Sequence, residues 1–248
     1  MRKEPFIDYS VRDDIGIMSM DNGPHNYISR PDFIDVSAMR HWITDNRLKG
    51  IIITGKGNHF SAGADLAALE KLARDPDQLL SKMKQGKEIL AYLESLDIPV
   101  LAAIRGACFG GGLEIALSAH LRVAGETALF SFPETGLGLI PGLGGTVRLA
   151  GVSGRGAAAE MILSGDIINA QKARELNIID YITPKKQVME FSLNLLKKMV
   201  EKRPLEIINA VMRSVRNAGT MGFAEAMDEE SRLFCRLAVK KFKADEGA

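Results

Sequence analysis

Glu114 and Glu134 stand 20 residues apart, each in a glycine-bearing segment, and each can take up or release a proton. Glu114 closes the run Gly110-Gly-Gly-Leu-Glu114, directly after an apolar stretch ending at Phe109. Three glycines cost about 0.5–1 kcal/mol each in regular structure, a cost that fits backbone lying against a ligand. The residues after them are spaced as a helix. A helix start points unpaired N–H groups and a positive dipole end outward, so an oxygen developing negative charge would be stabilised there. One such donor in an acyl-transfer enzyme is worth about 3–4 kcal/mol of barrier. Glu114 falls three residues after Gly111, on the same side of the turn. Glycine-rich helix starts also serve helix packing, so the segment does not decide alone. Glu134 follows Pro133 in a long connection, Phe132 to Thr146, shaped by glycines and Pro141. By itself it reads as a solvated loop residue. Set half-buried beside another carboxylate, the two could not both ionise freely, and one would take a raised pKa. That split makes one an acid and the other a base, as adding water across a double bond requires.

A third glycine-bearing segment, Phe60-Ser-Ala-Gly-Ala-Asp-Leu66, follows a short β-branched run and precedes a helix through Leu66, Leu69 and Leu72. Small residues there let backbone approach a ligand. The plainer alternative is a tight turn capped by Asp65. Other chemistry is poorly supplied. Gly154-Arg-Gly-Ala-Ala-Ala159, with Glu175 beyond it, has the form of a dinucleotide fingerprint, but Gly151 and Ser153 make a poor strand before it. The four histidines show no i, i+4 pair and no carboxylate at metal spacing, so no metal site is expected. Ser61 lacks a hydrolase elbow, and Cys108 reads as packing.

The chain that must position these groups has 248 residues, enough for one α/β domain with a sizeable core. With 46% hydrophobic and 25% charged residues it is neither disordered nor fibrous. A net charge of +1 gives no sign of a nucleic-acid or membrane-surface partner. Two cysteines form no disulfide framework, and the N-terminal residues lack the apolar core of a signal peptide. The most apolar stretch, 98–117, is broken by Arg105, the glycine triplet and Glu114. A soluble protein of the cytoplasm or a matrix compartment, with no membrane span, is expected, the cytoplasmic location first.

The pattern predicts two strands over 5–20 around Arg12-Asp13-Asp14 and a helix from Pro31 to about Asn46. Buried strands follow at 51–54 and 99–104, with a helix over 77–95 between them. Short strands around Val123 and Phe130, helices at about 142–150 and 154–163, and a strand near 179–182 complete a core of residues 1–190. From 191 to 248 only helical spacing appears. Its apolar stripe runs through Ile208, Val211, Met212, Val215, Met227, Phe234 and Leu237, suited either to packing on its own domain or to a subunit interface.

In their joint order and spacing, Ile51–Gly55, Phe60–Leu66, Ile98–Gly106, Gly110–Glu114 and Pro133-Glu134 through Gly145-Thr146 resemble the enoyl-CoA hydratase/isomerase (crotonase) family. The resemblance implies an α/β fold of ββα turns wound into a spiral. Helices at the C-terminal end would build homotrimers or dimers of trimers. It implies an acyl-CoA thioester as substrate, coenzyme A entering as part of that substrate and no separate cofactor. Ala64 and Gly111 match the family's backbone oxyanion hole, and Ala62, Asp65 and Leu66 fall where the family lines its CoA channel. Asp65 suits a structural cap better than a catalyst. Both family carboxylate positions are filled, which implies a hydratase in fatty or organic acid breakdown, with Glu114 the base, Glu134 the proton donor to the α-carbon, and Gly142 N–H orienting the water. Isomerases, acyl-thioester decarboxylases and carrier-linked dehydratases of the same family are the nearest alternatives, and an RNA-binding or non-catalytic module a remote one. The chain carries Asn26-Tyr27-Ile28 where the family often has Asn-Ala-Leu, and Ala67 where a lysine is common.

Overall fold

The computed structural model describes residues 6–245. Strands β1 (Ile7–Arg12) and β2 (Ile15–Met20) form a hairpin about Asp13 and Asp14, with Ile7 opposite Met20 and Arg12 opposite Ile15. Strands β3 (Gly50–Gly55) and β4 (Val100–Ile104) then add in parallel, Ile51 beside Val100 and Ile52 beside Leu101. With β6 (Leu121–Gly125) and β9 (Tyr181–Thr183) they complete a six-stranded sheet in the order β1-β2-β3-β4-β6-β9. Three short strands, β5 (Ala107–Phe109), β7 (Leu129–Ser131) and β8 (Ile168–Asn169), make a second sheet in the order β5-β7-β8.

Alternation along the central strands feeds two cores. Ile51, Ile53, Val100, Ala102 and Ile104 point into the larger one, with Phe60, Leu113, Phe130 and Phe132. Ile52, Leu101 and Ala103 point the other way, onto Ile15 and Val123 and beneath Val188 and Leu196 of a covering helix. That helix, spanning Val188–Val200, crosses the expected boundary at 190/191 and lies on β2, β3, β4 and β6.

The other helices, in chain order, are α1 (Val36–Asp45), α2 (Leu66–Leu72), α3 (Pro76–Glu94), α4 (Gly111–Leu117), α5 (Gly145–Ser153), α6 (Arg155–Ser164) and α7 (Ala170–Glu175). The covering helix is α8, followed by α9 (Leu205–Thr220) and α10 (Phe223–Asp245). The first differs from expectation. Residues 31–35 are not helical, because Phe33 and Ile34 both turn into the core and Asp35 caps α1, accepting from Ser37 N and Ala38 N. Gly154 joins α5 to α6, so no strand precedes the fingerprint-like glycines.

Asp97 holds α9 to the domain through Arg213 at 2.6 Å and Arg216 at 2.7 Å. Only part of the C-terminal stripe is covered. Ile208 is buried and Met212 packs on the core, whereas Val211, Val215, Met227 and Phe234 are exposed.

Candidate active site

The three glycine-bearing segments converge. The segment before α2 is held by the 25–28 stretch, whose Asn26 is fully buried at φ +50°. Asn26 Nδ2 donates to the carbonyls of Lys56 and His59 at 3.0 and 2.9 Å, and its own carbonyl accepts from Ser61 Oγ at 2.8 Å. Ala62 N donates to His25 O, Ile28 N to Gly63 O and Asp65 N to Ile28 O, each at 2.9 Å. Asn26-Tyr27-Ile28 thus forms a backbone splint for Ala62–Asp65, with Ile28 and Ala64 as bridge partners, and starts no helix. Asp65 caps α2, its carboxylate accepting from Ala68 N at 3.1 Å.

On the other wall, Gly110 N donates to Ser131 O at 2.9 Å, and Gly111 opens α4, all of whose residues are buried. As the first helical residue, Gly111 has no carbonyl one turn back to receive its N–H. Among the described residues, neither this N–H nor that of Ala64 has a protein acceptor. Gly110 sits at φ +49°, ψ −122°, a conformation hostile to side chains. A Cβ there would lie 2.7 Å from Glu134 Oε1, so the missing side chain is where the Glu134 carboxyl rests. Glu134 comes from a short 3₁₀ turn, Pro133–Leu137.

Glu114 is 2% exposed. Its Oε1 accepts from Leu143 N at 2.6 Å and Gly145 N at 2.7 Å, while Oε2 lies over Gly111. Burial raises its pKa, opposed by the Gly145 and Leu143 amides and by Arg148 and Lys87. Glu134 Oε2 is buried without a partner, and burial lifts that carboxyl to about 7, with the nearby Glu114 charge adding to the rise and a hydrogen bond from its own backbone opposing it.

Two cavities meet here. One of about 530 Å³ runs toward α3 and is lined by Gly111, Glu114, Gly142, Leu143 and Met83 among others. The second, about 630 Å³, runs past Tyr27, Ala62, Leu66, Ala67 and Leu137. Ala64, Asp65, Leu69, Glu134 and Leu139 line both. Ala62, Ala64, Asp65, Leu66, Gly111, Glu114, Glu134 and Gly142 therefore all line one or both of these cavities. Gly142 lies against Met83, whose Cε would be 2.4 Å from an added Cβ.

Two buried carboxyls against adjacent glycines, in a cavity edged by unengaged amides, can transfer protons beside a polarised carbonyl. The enoyl-CoA hydratase/isomerase family model matches residues 12–247. The chain belongs to the enoyl-CoA hydratase/isomerase family. It is 35% identical over 200 residues to a probable enoyl-CoA hydratase of Bacillus subtilis, covering 80% of this chain and 77% of that one. It is 34% identical over 204 residues to the 2,3-dehydroadipyl-CoA hydratase of Escherichia coli, covering 82% and 78%. Among solved structures it resembles an enoyl-CoA hydratase subunit of Geobacillus kaustophilus, with a TM-score of 0.85 at 30% identity, covering 94% of this chain and 90% of that chain. The enoyl-CoA hydratase of Thermoplasma volcanium gives 0.82 at 28%, covering 95% and 93%. The fold is thus the crotonase-like α/β spiral with C-terminal helices.

The family's sequence pattern does not reveal how Glu114 is held. Leu143 and Gly145 belong to a recognisable glycine-rich loop, but Arg148 and Glu94 carried no signal. Arg148 Nη1 donates to Leu143 O at 2.5 Å, and Gly144 at φ +100° leaves it room, since a Cβ would fall 2.4 Å from that nitrogen.

Proposed function

We propose that the protein is an enoyl-CoA hydratase, adding water syn across the 2,3 double bond of an enoyl thioester. The observation that carries this is the opposed pair of carboxyls. Glu114 is fixed by two amides through one oxygen, and Glu134 is poised near neutrality. A base needs its ionised form and an acid its protonated form at the same pH, and such a pair supplies both.

The thioester oxygen sits on Ala64 N–H and Gly111 N–H, which stabilise it as the enolate forms. Glu114 takes a proton from water as the water oxygen bonds to the β-carbon. The π electrons move to the carbonyl, and Glu134 protonates the α-carbon. Moving the proton from Glu114 to Glu134 resets the site. Gly142 N–H orients the water. Ala62, Asp65 and Leu66 edge the coenzyme A arm, and the α3 cavity receives the acyl chain. The chemistry needs only these groups, with coenzyme A carried by the substrate. The exposed apolar faces of α9 and α10 pack against further copies of the chain in a trimer or paired trimers, which sedimentation would reveal.

Crotonyl-CoA mixed with the protein should lose its enone absorbance and gain the mass of one water. A shifted double bond at unchanged mass, or no reaction across a thioester panel, would overturn the assignment.

A further inference from the structure

We infer that Met83 selects the enoyl chain, admitting a β-carbon that carries one carbon substituent and rejecting one that carries two. The inference rests on the hydratase reading for where the β-carbon lies. Helix α3 is pressed onto the loop that holds Glu114. Gly86 is buried in mid-helix, where glycine is costly unless packing requires it. A Cβ at Gly86 would fall 2.6 Å from Leu143 Cδ2 and 2.8 Å from Pro31 O. Met83 stands three residues earlier, on the same face of α3. Its Cε would be 2.4 Å from a Cβ on Gly142, so the thioether tip rests on that bare position. Met83, Gly142, Leu143 and Glu114 all line the cavity of about 530 Å³.

Gly142 N–H has no protein acceptor among the described residues, and the amide after it, Leu143 N, donates to Glu114 Oε1 at 2.6 Å. On the hydratase reading the Gly142 amide holds the water that attacks the β-carbon. That carbon therefore lies one water away from Gly142 and beside the Met83 tip. In a straight 2-enoyl chain it bears one hydrogen and the rest of the chain. The chain can leave along Leu79, one turn farther on the Met83 face, which lines the same cavity. A methyl group in place of the hydrogen must share the space that Met83 fills. A one-carbon misfit of this kind is worth about 10–200-fold in an apolar pocket. Methionine yields more readily than a branched side chain, which sets the effect here near the lower figure.

The test is calorimetric binding of saturated, unreactive thioesters, which reads recognition whether or not the protein is a hydratase. Butyryl-CoA is compared with isovaleryl-CoA, the same chain with one more methyl group on the β-carbon. The wild type should bind butyryl-CoA about 10-fold tighter. A methyl group buried without conflict would instead tighten binding about 4-fold. Isovaleryl-CoA binding as tightly as butyryl-CoA would therefore overturn the inference. Met83→Ala should erase or reverse the preference, and an unchanged ratio would overturn the inference as well. Should that variant not fold, Met83→Val, which lacks the Cε that touches Gly142, gives the same reading. Leu79→Ala should leave the ratio in place. An equal collapse there would assign the discrimination to the arm as a whole and take it from Met83. Failure of crotonyl-CoA to hydrate, with the Met83-dependent ratio intact, would instead sink the hydratase reading alone.

Discussion

Arg148 Nε donates to Glu94 Oε1 at 2.5 Å, joining residues 54 apart in the chain. The same guanidinium holds the Leu143 carbonyl, and the Leu143 amide holds Glu114. The Glu94 carboxylate thus steadies Glu114 through two intermediaries, Arg148 and Leu143.

Removing the guanidinium should be visible in the pH dependence of kcat/KM. Arg148 draws the Glu114 pKa down against the larger upward effect of burial. Arg148→Met should raise that pKa, and since the base proposed for Glu114 works in its ionised form, the acid limb of the rate profile should move to higher pH. A rate loss of about 10-fold with an unmoved acid limb would reduce Arg148 to a packing role.

On the proposed mechanism, glutamine in place of Glu114 or Glu134 should cut turnover at least about 10²-fold, as loss of an acid or base does. In the wild type the alkaline limb should fall near pH 7, where Glu134 loses its proton. Carboxyl-labelled NMR should find Glu134 titrating there. In Glu114→Gln its pKa should drop, since the neighbouring charge is gone, yet stay above 4.5 because burial is the larger cause.

Glu134 should also weigh on stability. Its folded pKa stands above the ordinary 4.5, so its contribution is fully present below that value and is lost as pH rises to about 7. Glu134→Gln should therefore melt at a higher temperature than the wild type at pH 8, with the difference shrinking toward pH 5. A buried carboxyl held at a cost to the fold behaves this way. Equal pH dependence in both proteins would contradict it.

Gly110→Ala should fail twice over. Its backbone conformation costs a side chain about 1–3 kcal/mol, and the new methyl would collide with Glu134 Oε1. Denaturant melts should record the first effect and crotonyl-CoA turnover the second.

Asn26→Ala removes the buried amide that donates to the Lys56 and His59 carbonyls, at about 1 kcal/mol for each hydrogen bond lost. Chemical denaturation should show a loss of about 2–3 kcal/mol, with turnover reduced because the Ala62–Asp65 segment loses its splint.

The elements most legible in the sequence were those written in local pattern. The isoleucine run of β3, the unbroken apolar run of β4 and the leucine spacing of α3 each specify their element within a few residues. Pro31 suggested a helix start because proline suits a first turn. It could not show that Phe33 and Ile34 would both be needed in the core, which delays α1 to Val36. Of the second sheet only β7, around Phe130, was legible; β5 and β8 have three and two residues, too few for periodicity to register, so the pairing of the three strands stayed unread. The two glutamates stood out by their glycine surroundings, whereas Arg148 and Glu94 are ordinary helix residues whose meeting depends on the completed fold.

α8 sits on the back of the sheet, filling the smaller core with Val188 and Leu196. Trimming the chain to its glycine-bearing half would therefore leave Ile52, Leu101 and Val123 facing water. Any engineered fragment or chimera should keep its junction beyond Val200, in the short link before Leu205 where α9 begins, so that swapping the tail for that of another family member leaves both faces of the catalytic scaffold roofed.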